Sequence, residues 1–488
     1  MPALVSPART PALAGWLGAS LLGILSAQAC ANQADQAYVI MGPQGKAIAR
    51  WLTTDATCPD IRINGHEEPM HERVAPAVVA LRPTASPEQL SKPSRFDLRV
   101  CEYTLPEHLH TVSIDGQTLP LPHADIRHIV VIGDTGCRLK AGSGKWQDCN
   151  DPASYPFGQI ARSAAAWHPD LVIHVGDYLY RENACPADKA GCKGSPWGYG
   201  SDAWQADFFD PARPLLAVAP WIVVRGNHES CQRAGQGWWR FLDPHSFKAD
   251  QDCDLASQDN IGNFSAAYAV PLGGHAQVIV LDTAAAPNKP IEPADTRFAQ
   301  FARLYRQMAG LASQANDNIV ANHQPILGFA ARKTHQHVEL LPGNPVLQQA
   351  FASRNPQLFP DNVQLLLSGH VHTWEQVGFA NDYPSQFVTG FSGTQEETVP
   401  LPAQLPADAT PAHGARVNAY SSWASGFGYM TLDRTGPDSW SAAIRNVDGQ
   451  IVDTCVIQGK HSRCADLDPG HPSRSTSNPA QTTESPSR

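Results

Sequence analysis

Six short apolar runs, each closed by a polar cluster, constrain this chain more than any other feature. In order between residues 128 and 372 they are HIVVIGDTG, DLVIHVGDYLY, PWIVVRGNHES, AQVIVLDT, NIVANHQP and VQLLLSGHVH. Runs of β-branched residues and leucine without polar alternation read as strands buried on both faces. Helical patterns lie between them, FGQIARSAAAWHPD after the first run and DTRFAQFARLYRQMAGLASQA further on. Strands alternating with helices define an α/β layered fold. In such folds ligands gather at the loops leaving the carboxyl ends of the strands. All six runs place Asp, Asn or His at that end, and five of them supply the set described below.

The segment before these runs has a different texture. Over 38–124 the stretches YVIMG, AIARWLTT, FDLRVCEYTL and HTVSIDG are separated by turn residues and carry little helical period. That pattern predicts a small antiparallel β domain. The following 125–458 is the layered domain. The tail, 465–488, is rich in Ser, Thr and Pro and nearly free of apolar residues, which predicts disorder.

The N-terminus and the cysteines bear on the compartment. Residues 1–29 combine Arg9, the apolar stretch PALAGWLGASLLGIL and a small-residue site at Ala27-Gln28-Ala29, the features of an export signal. An N-terminal anchor helix is the alternative, and Cys30 offers a lipid anchor. No other stretch has the length of a membrane span. Ten of the 11 cysteines remain after Cys30, in near-neighbour pairs: 58 and 101, 137 and 149, 185 and 192, 231 and 253, 455 and 464. An even set of this kind suits an oxidising compartment, periplasmic or extracellular. A net charge of −10 with 17% charged residues argues against nucleic acid or an anionic membrane as partner.

The strand-end residues form one chemical set. Asp134, Asp177, Asn227, His323, His370 and His372 supply carboxylate, amide oxygen and imidazole, a mixture suited to first-row transition metals. Taken singly, GD or GNH after a strand is an ordinary turn, because Asn and Asp bond nearby backbone. Six such donors on successive strand ends are too many for one ion and suit two ions sharing a carboxylate. No Gly-x-Ser-x-Gly elbow supports serine hydrolysis, and GSGK at Ser143 lacks the fuller phosphate-loop spacing.

The ordered blocks GDTG, GDYLY, GNHE, NHQP and GHVH resemble the calcineurin-like metallophosphoesterases, and within them the purple acid phosphatases. The resemblance runs from Gly133 to His372. It implies a β-sandwich flanked by helices, preceded by the small antiparallel β domain. It also implies an acid phosphatase acting on small phosphate monoesters, by attack of a hydroxide generated between two cations. A phosphodiesterase or nucleotide pyrophosphatase of the same superfamily, or a non-catalytic binding protein, are the other readings.

Many superfamily members carry DxH where this chain has Asp134-Thr135-Gly136. By resemblance, Tyr180 of GDYLY replaces that imidazole. The first metal then takes Asp134, Tyr180, His372 and a bridging Asp177. The second takes Asp177, Asn227, His323 and His370. Two carboxylates and a phenolate favour iron(III) in the first position, and the softer second set suits zinc, manganese or iron(II). The resemblance places His228 against the phosphate, with Glu229 to orient it. It offers His335 and His337 as outer histidines for substrate contact and protonation of the leaving group.

Overall fold

The computed structural model describes residues 35–334, 338–396 and 399–466. The export signal, Cys30, His335, His337 and residues 467–488 of the tail lie outside the described residues. All six apolar runs form strands: His128–Ile132, Leu171–His174, Trp221–Val223, Ala276–Val280, Asp317–Ala321 and Val363–Ser368.

The first three pair in parallel within an 11-stranded sheet, and the last three pair in parallel within a seven-stranded sheet. Side chains alternate across each strand. Val131, Ile173, Val278, Ile319 and Leu367 therefore face the space between the two sheets, in one buried cluster. The opposite faces are covered by helices. On the larger sheet Val130, Ile132 and Val172 pack with Ile160, Ala164 and Leu215. On the smaller sheet Val320 and Leu366 pack with Phe301, Met308 and Leu347. The result is a β-sandwich flanked by helices.

Both expected helices form, and each shows why. Phe157–Ala166 buries Phe157, Ile160, Ala161, Ala164 and Ala165, a stripe at helical spacing. Thr296–Ala312 buries Phe301, Leu304, Tyr305, Met308 and Ala312. It begins at Asp295, whose side chain accepts the Arg297 N–H at 2.9 Å and satisfies one of the first-turn donors.

The N-terminal region is antiparallel β. Gln36–Met41 pairs with Ala47–Thr53, and that strand pairs with Arg99–Thr104. Gln36–Met41 also lies parallel to Trp221–Val223, so these strands continue the larger sheet. The far edge of that sheet is a C-terminal meander of four strands, Gly428–Gly436 to His461–Asp466. Its last strand carries regular pairing through Ala465 and Asp466, two residues into the expected tail. The Cys455–Cys464 disulfide fixes that end. All five disulfides join the near neighbours in the order the sequence suggests. Among the described residues no helix is long and apolar enough to cross a membrane.

Candidate metal centre

Each strand-end residue follows its strand within a few positions, and both sheets deliver their donors to one place. The backbone there is contorted: Asp134, Asp177 and His370 have φ of 53°, 60° and 72°. Non-glycine residues are uncommon in this left-handed region, and its occupants cluster at functional sites.

The side chains divide into two groups joined by Asp177. In one, the Tyr180 hydroxyl lies 2.8 Å from Asp134 Oδ1, 2.8 Å from Asp177 Oδ2 and 2.9 Å from His372 Nε2. In the other, His323 Nε2 is 3.1 Å from Asn227 Oδ1, and His370 Nδ1 is 2.8 Å from the same oxygen. His323 Nε2 is also 3.1 Å from Asp177 Oδ2. One carboxylate oxygen therefore touches both groups. Asp177, His323 and His370 form a compact set able to hold an ion.

Backbone groups aim these donors. The His370 N–H donates to Asp134 Oδ2 at 2.9 Å, leaving Oδ1 for the centre. The His228 N–H donates to Asp177 Oδ1 at 2.7 Å, leaving Oδ2. His323 Nδ1 lies 2.9 Å from the Val175 carbonyl, and His372 Nδ1 lies 2.9 Å from that of Gln395. A ring nitrogen donating to a carbonyl turns the other nitrogen, as a lone pair, toward a cation.

Gly136 answers why no histidine follows Asp134. A Cβ there would sit 2.7 Å from the Tyr178 carbonyl oxygen and 2.8 Å from the Tyr180 nitrogen. The GDYLY turn that brings Tyr180 inward thus occupies the space a side chain at 136 would need. Tyr178 is fully buried and stacks on His174 with ring centroids 3.8 Å apart. It is packing, as is His174.

The electrostatics of the centre fit bound cations. Burial, reinforced by the Asp134 and Asp177 charges, pushes the Tyr180 phenol well above its ordinary range. Burial opposes a charge on His323, yet Asp177 beside it raises the imidazole to about 9. Burial likewise opposes ionisation of Asp177, but His323 and His228 hold its carboxyl well below the usual range. Carboxylates, a phenol and a proton-attracting imidazole make a donor set that positive ions would neutralise, and a cation acidifies a phenol placed against it.

Glu229 does not orient His228. Its carboxylate turns the other way and accepts the N–H groups of Gly226, Asp177, Tyr178 and Leu179 at 2.9–3.2 Å. The physical reason is local: the positive φ at Asp177 points successive amides at one spot, and Glu229 fills it. Burial, with the Asp177 charge, pushes the Glu229 carboxyl up to about 8. Asp207 holds the turn from the other side, accepting the Tyr180 N–H at 2.7 Å and the Cys137 N–H at 3.0 Å.

The partners of His228 are residues that sequence patterns did not single out. Its ring packs 3.7 Å from the Tyr180 ring, and its Nδ1 is 3.1 Å from the Leu179 carbonyl and 3.3 Å from Glu182. Arg233 Nη2 lies 2.6 Å from His228 Nε2 and is ion-paired to the buried Glu182. Lys140 approaches Glu182 at 3.6 Å, and the Arg138 guanidinium lies over the Tyr180 ring at 5.3 Å. Burial and Arg233 together hold the His228 imidazole well below its ordinary value. Three cationic side chains thus flank the Tyr180 side of the centre. Their only signal in sequence is proximity, Arg138 and Lys140 to GDTG and Arg233 to GNHE. His335 and His337, the expected outer histidines, lie outside the described residues.

A helix-flanked sandwich with two donor groups sharing one carboxylate defines a class of hydrolase scaffold built for a pair of metals. The sequence profile described as Calcineurin-like phosphoesterase matches residues 127–374. The chain belongs to that family, and is a metallophosphoesterase.

Among solved structures it is similar to the purple acid phosphatase PPD1 from yellow lupin (Lupinus luteus) seeds. The identity is 14%, over 92% of this chain and 77% of that one, with a TM-score of 0.50. It is also similar to PhoD, at 13% identity over 88% and 91% of the two chains and a TM-score of 0.49. A dimetal phosphatase from Danio rerio matches at 12% identity over 69% and 99%, with a TM-score of 0.37. At such identities the likeness to the lupin protein is one of fold. No curated protein matches the sequence.

Proposed function

We propose that the protein is a secreted or periplasmic acid phosphatase. It hydrolyses phosphate monoesters at an iron(III) paired with zinc, manganese or iron(II). The observation that carries this reading is the Tyr180 hydroxyl, within 2.9 Å of two carboxylates and an imidazole. A phenolate joined to two carboxylates is a hard anionic set that favours a trivalent ion. The five disulfides support an oxidising compartment.

When bound, the two ions supply Lewis-acid polarisation of the phosphate and an acidified water. The rest falls to the chain. Asp177 would be shared by the two ions, with Asp134, Tyr180 and His372 to hold one and Asn227, His323 and His370 to hold the other. Arg233 binds the non-bridging phosphate oxygens, held in register by Glu182 and by His228, whose Nε2 accepts from it while Nδ1 faces the Leu179 carbonyl. Arg138, against the Tyr180 face, adds positive charge where the phosphate enters. His335 or His337 is assigned the proton for the leaving alcohol.

Metal analysis with an aryl phosphate assay across pH tests the function. The expectation is two metals per chain and fastest phosphate release at acidic pH. A fully loaded protein inactive on monoesters but active on diesters or pyrophosphates would overturn the monoesterase assignment.

A further inference from the structure

The loop that follows GDTG is closed by the Cys137–Cys149 disulfide and folds back on itself, Leu139–Lys140 pairing with Lys145–Trp146. Gln147 lies near its end and is buried. Its side-chain amide reaches four backbone groups. Oε1 accepts the Arg138 N–H and the Gln395 N–H, each at 3.0 Å. Nε2 donates to the Ser154 carbonyl at 2.6 Å and to the Gly393 carbonyl at 2.8 Å. An amide offers two lone pairs and two N–H bonds, so all four are used. The partners also fix which end of the amide is the oxygen, because a backbone N–H only donates and a carbonyl only accepts.

Two of those partners lead to the metal centre. The Gln395 carbonyl lies 2.9 Å from His372 Nδ1, the contact that leaves Nε2 facing Tyr180 and Asp134. Arg138 carries the guanidinium that lies over the Tyr180 ring. Residues 392–395 run alongside GDTG: the Ser392 and Thr394 N–H groups donate to the Gly133 and Asp134 carbonyls, and Thr394 Oγ1 donates to that of Gly136. Gln147 pins the end of this strip to the disulfide-closed loop. None of its four partners is a residue of the other donor group, Asn227, His323 and His370.

We propose that Gln147 is a positioning residue for the Tyr180 half of the centre, fixing together the Gln395 carbonyl that aims His372 and the backbone of Arg138. The inference rests on the two-metal reading above and adds to it a residue that none of the ordered motifs contains. A buried amide that merely held the fold together would act on both ions alike. A positioning residue acts on one.

Zinc(II) titrated into metal-free protein separates the two roles, because its binding depends neither on the iron assignment nor on any phosphatase activity. His323→Ala leaves the Tyr180 half to bind, and His372→Ala leaves the Asn227 half. Adding Gln147→Leu to His323→Ala should weaken zinc binding by about tenfold, the lower end of what losing the support behind a metal ligand costs. Adding it to His372→Ala should change the dissociation constant by less than about twofold, as for independent sites. Gln147→Leu leaves two N–H groups and two carbonyls unpaired in the interior, so Gln147→Asn supplies a second reading should that variant fail to fold. Its amide stays polar but ends one methylene short of Arg138 and Gln395, and the same split is expected. Equal weakening in both backgrounds, weakening confined to His372→Ala, or none in either would overturn the positioning role. If His323→Ala binds no zinc with Gln147 intact, the Tyr180 half is not a metal site, and the reading of the centre falls together with this inference. The predicted split in a protein that releases no phosphate from an aryl ester would overturn the phosphatase reading alone and uphold the role of Gln147.

Discussion

The two halves of the centre share Asp177 and differ in almost everything else. The Tyr180 half is built from oxygens, with Asp134, Asp177 and a phenol converging on His372. It is flanked by Arg138, Lys140 and Arg233. The Asn227 half is built from a neutral amide and two imidazoles, His323 and His370, and borders a partly apolar cavity. The contrast teaches that one strand-end turn, GDYLY, sets the chemistry of a whole half-site. By bringing Tyr180 inward it fills the space beside Gly136, and it exchanges a neutral imidazole for an ionisable phenol. Charge accumulates on one side, and on that side the protein also places its cations.

The largest effect should come from removing what the halves share. Asp177→Ala should bring the metal content from two ions per chain to near none, with phosphatase activity lost. Retention of full activity in that variant would show the shared-carboxylate account to be wrong. Next in size is a variant that breaks one half only. His323→Ala should leave one ion per chain in the Tyr180 half and reduce activity by at least ~10²-fold. Loss of both ions in this variant would mean that the halves are not separable.

Glu229→Ala should have a smaller and less selective effect. It leaves the Gly226, Asp177, Tyr178 and Leu179 N–H groups without their acceptor. Each orphaned donor costs about 1–3 kcal/mol unless water replaces the carboxylate. The expected outcome is a lower melting temperature together with weaker binding of both ions. A variant melting like the parent would show that Glu229 does not hold the turn.

The smallest effect tests a buried acid behind the Asn227 half. Glu375 is buried, and burial pushes its carboxyl up to about 8, with the Phe329 N–H pulling the other way. Its ordinary value is 4.5. Between those limits the folded protein binds a proton that the unfolded chain has released. The contribution to stability is therefore full below about 4.5 and is lost as pH rises toward 8. Glu375→Gln should raise the melting temperature at pH 8 and change it little at pH 4.5. Equal shifts at both pH values would contradict the assignment.

Much of this was legible in the sequence because the informative residues sit where strands end. The six apolar runs gave six parallel-paired strands, and GDTG, GDYLY, GNHE, NHQP and GHVH carried the seven side chains that the fold brings together. Spacing along one chain cannot say which way a side chain turns, and that is where the expectation for Glu229 failed. Its carboxylate faces the amides of the Asp177 turn, a direction set by backbone φ. Arg233, Glu182 and Asp207 were missed for a related reason. They are ordinary charged residues in loops, and only the fold brings them to His228 and Tyr180. The parallel pairing of Gln36–Met41 with Trp221–Val223 joins segments far apart in sequence, and alternation within a strand does not report its neighbour.

The central claim is that Tyr180, standing in for the side chain Gly136 cannot carry, selects iron(III) for its half of the centre. A visible absorption spectrum with metal analysis of the aerobically purified protein tests it most directly. The account predicts iron in the preparation and a broad tyrosinate-to-iron(III) band near the middle of the visible range, absent in Tyr180→Phe. A colourless, active protein fully loaded with zinc or manganese would contradict it.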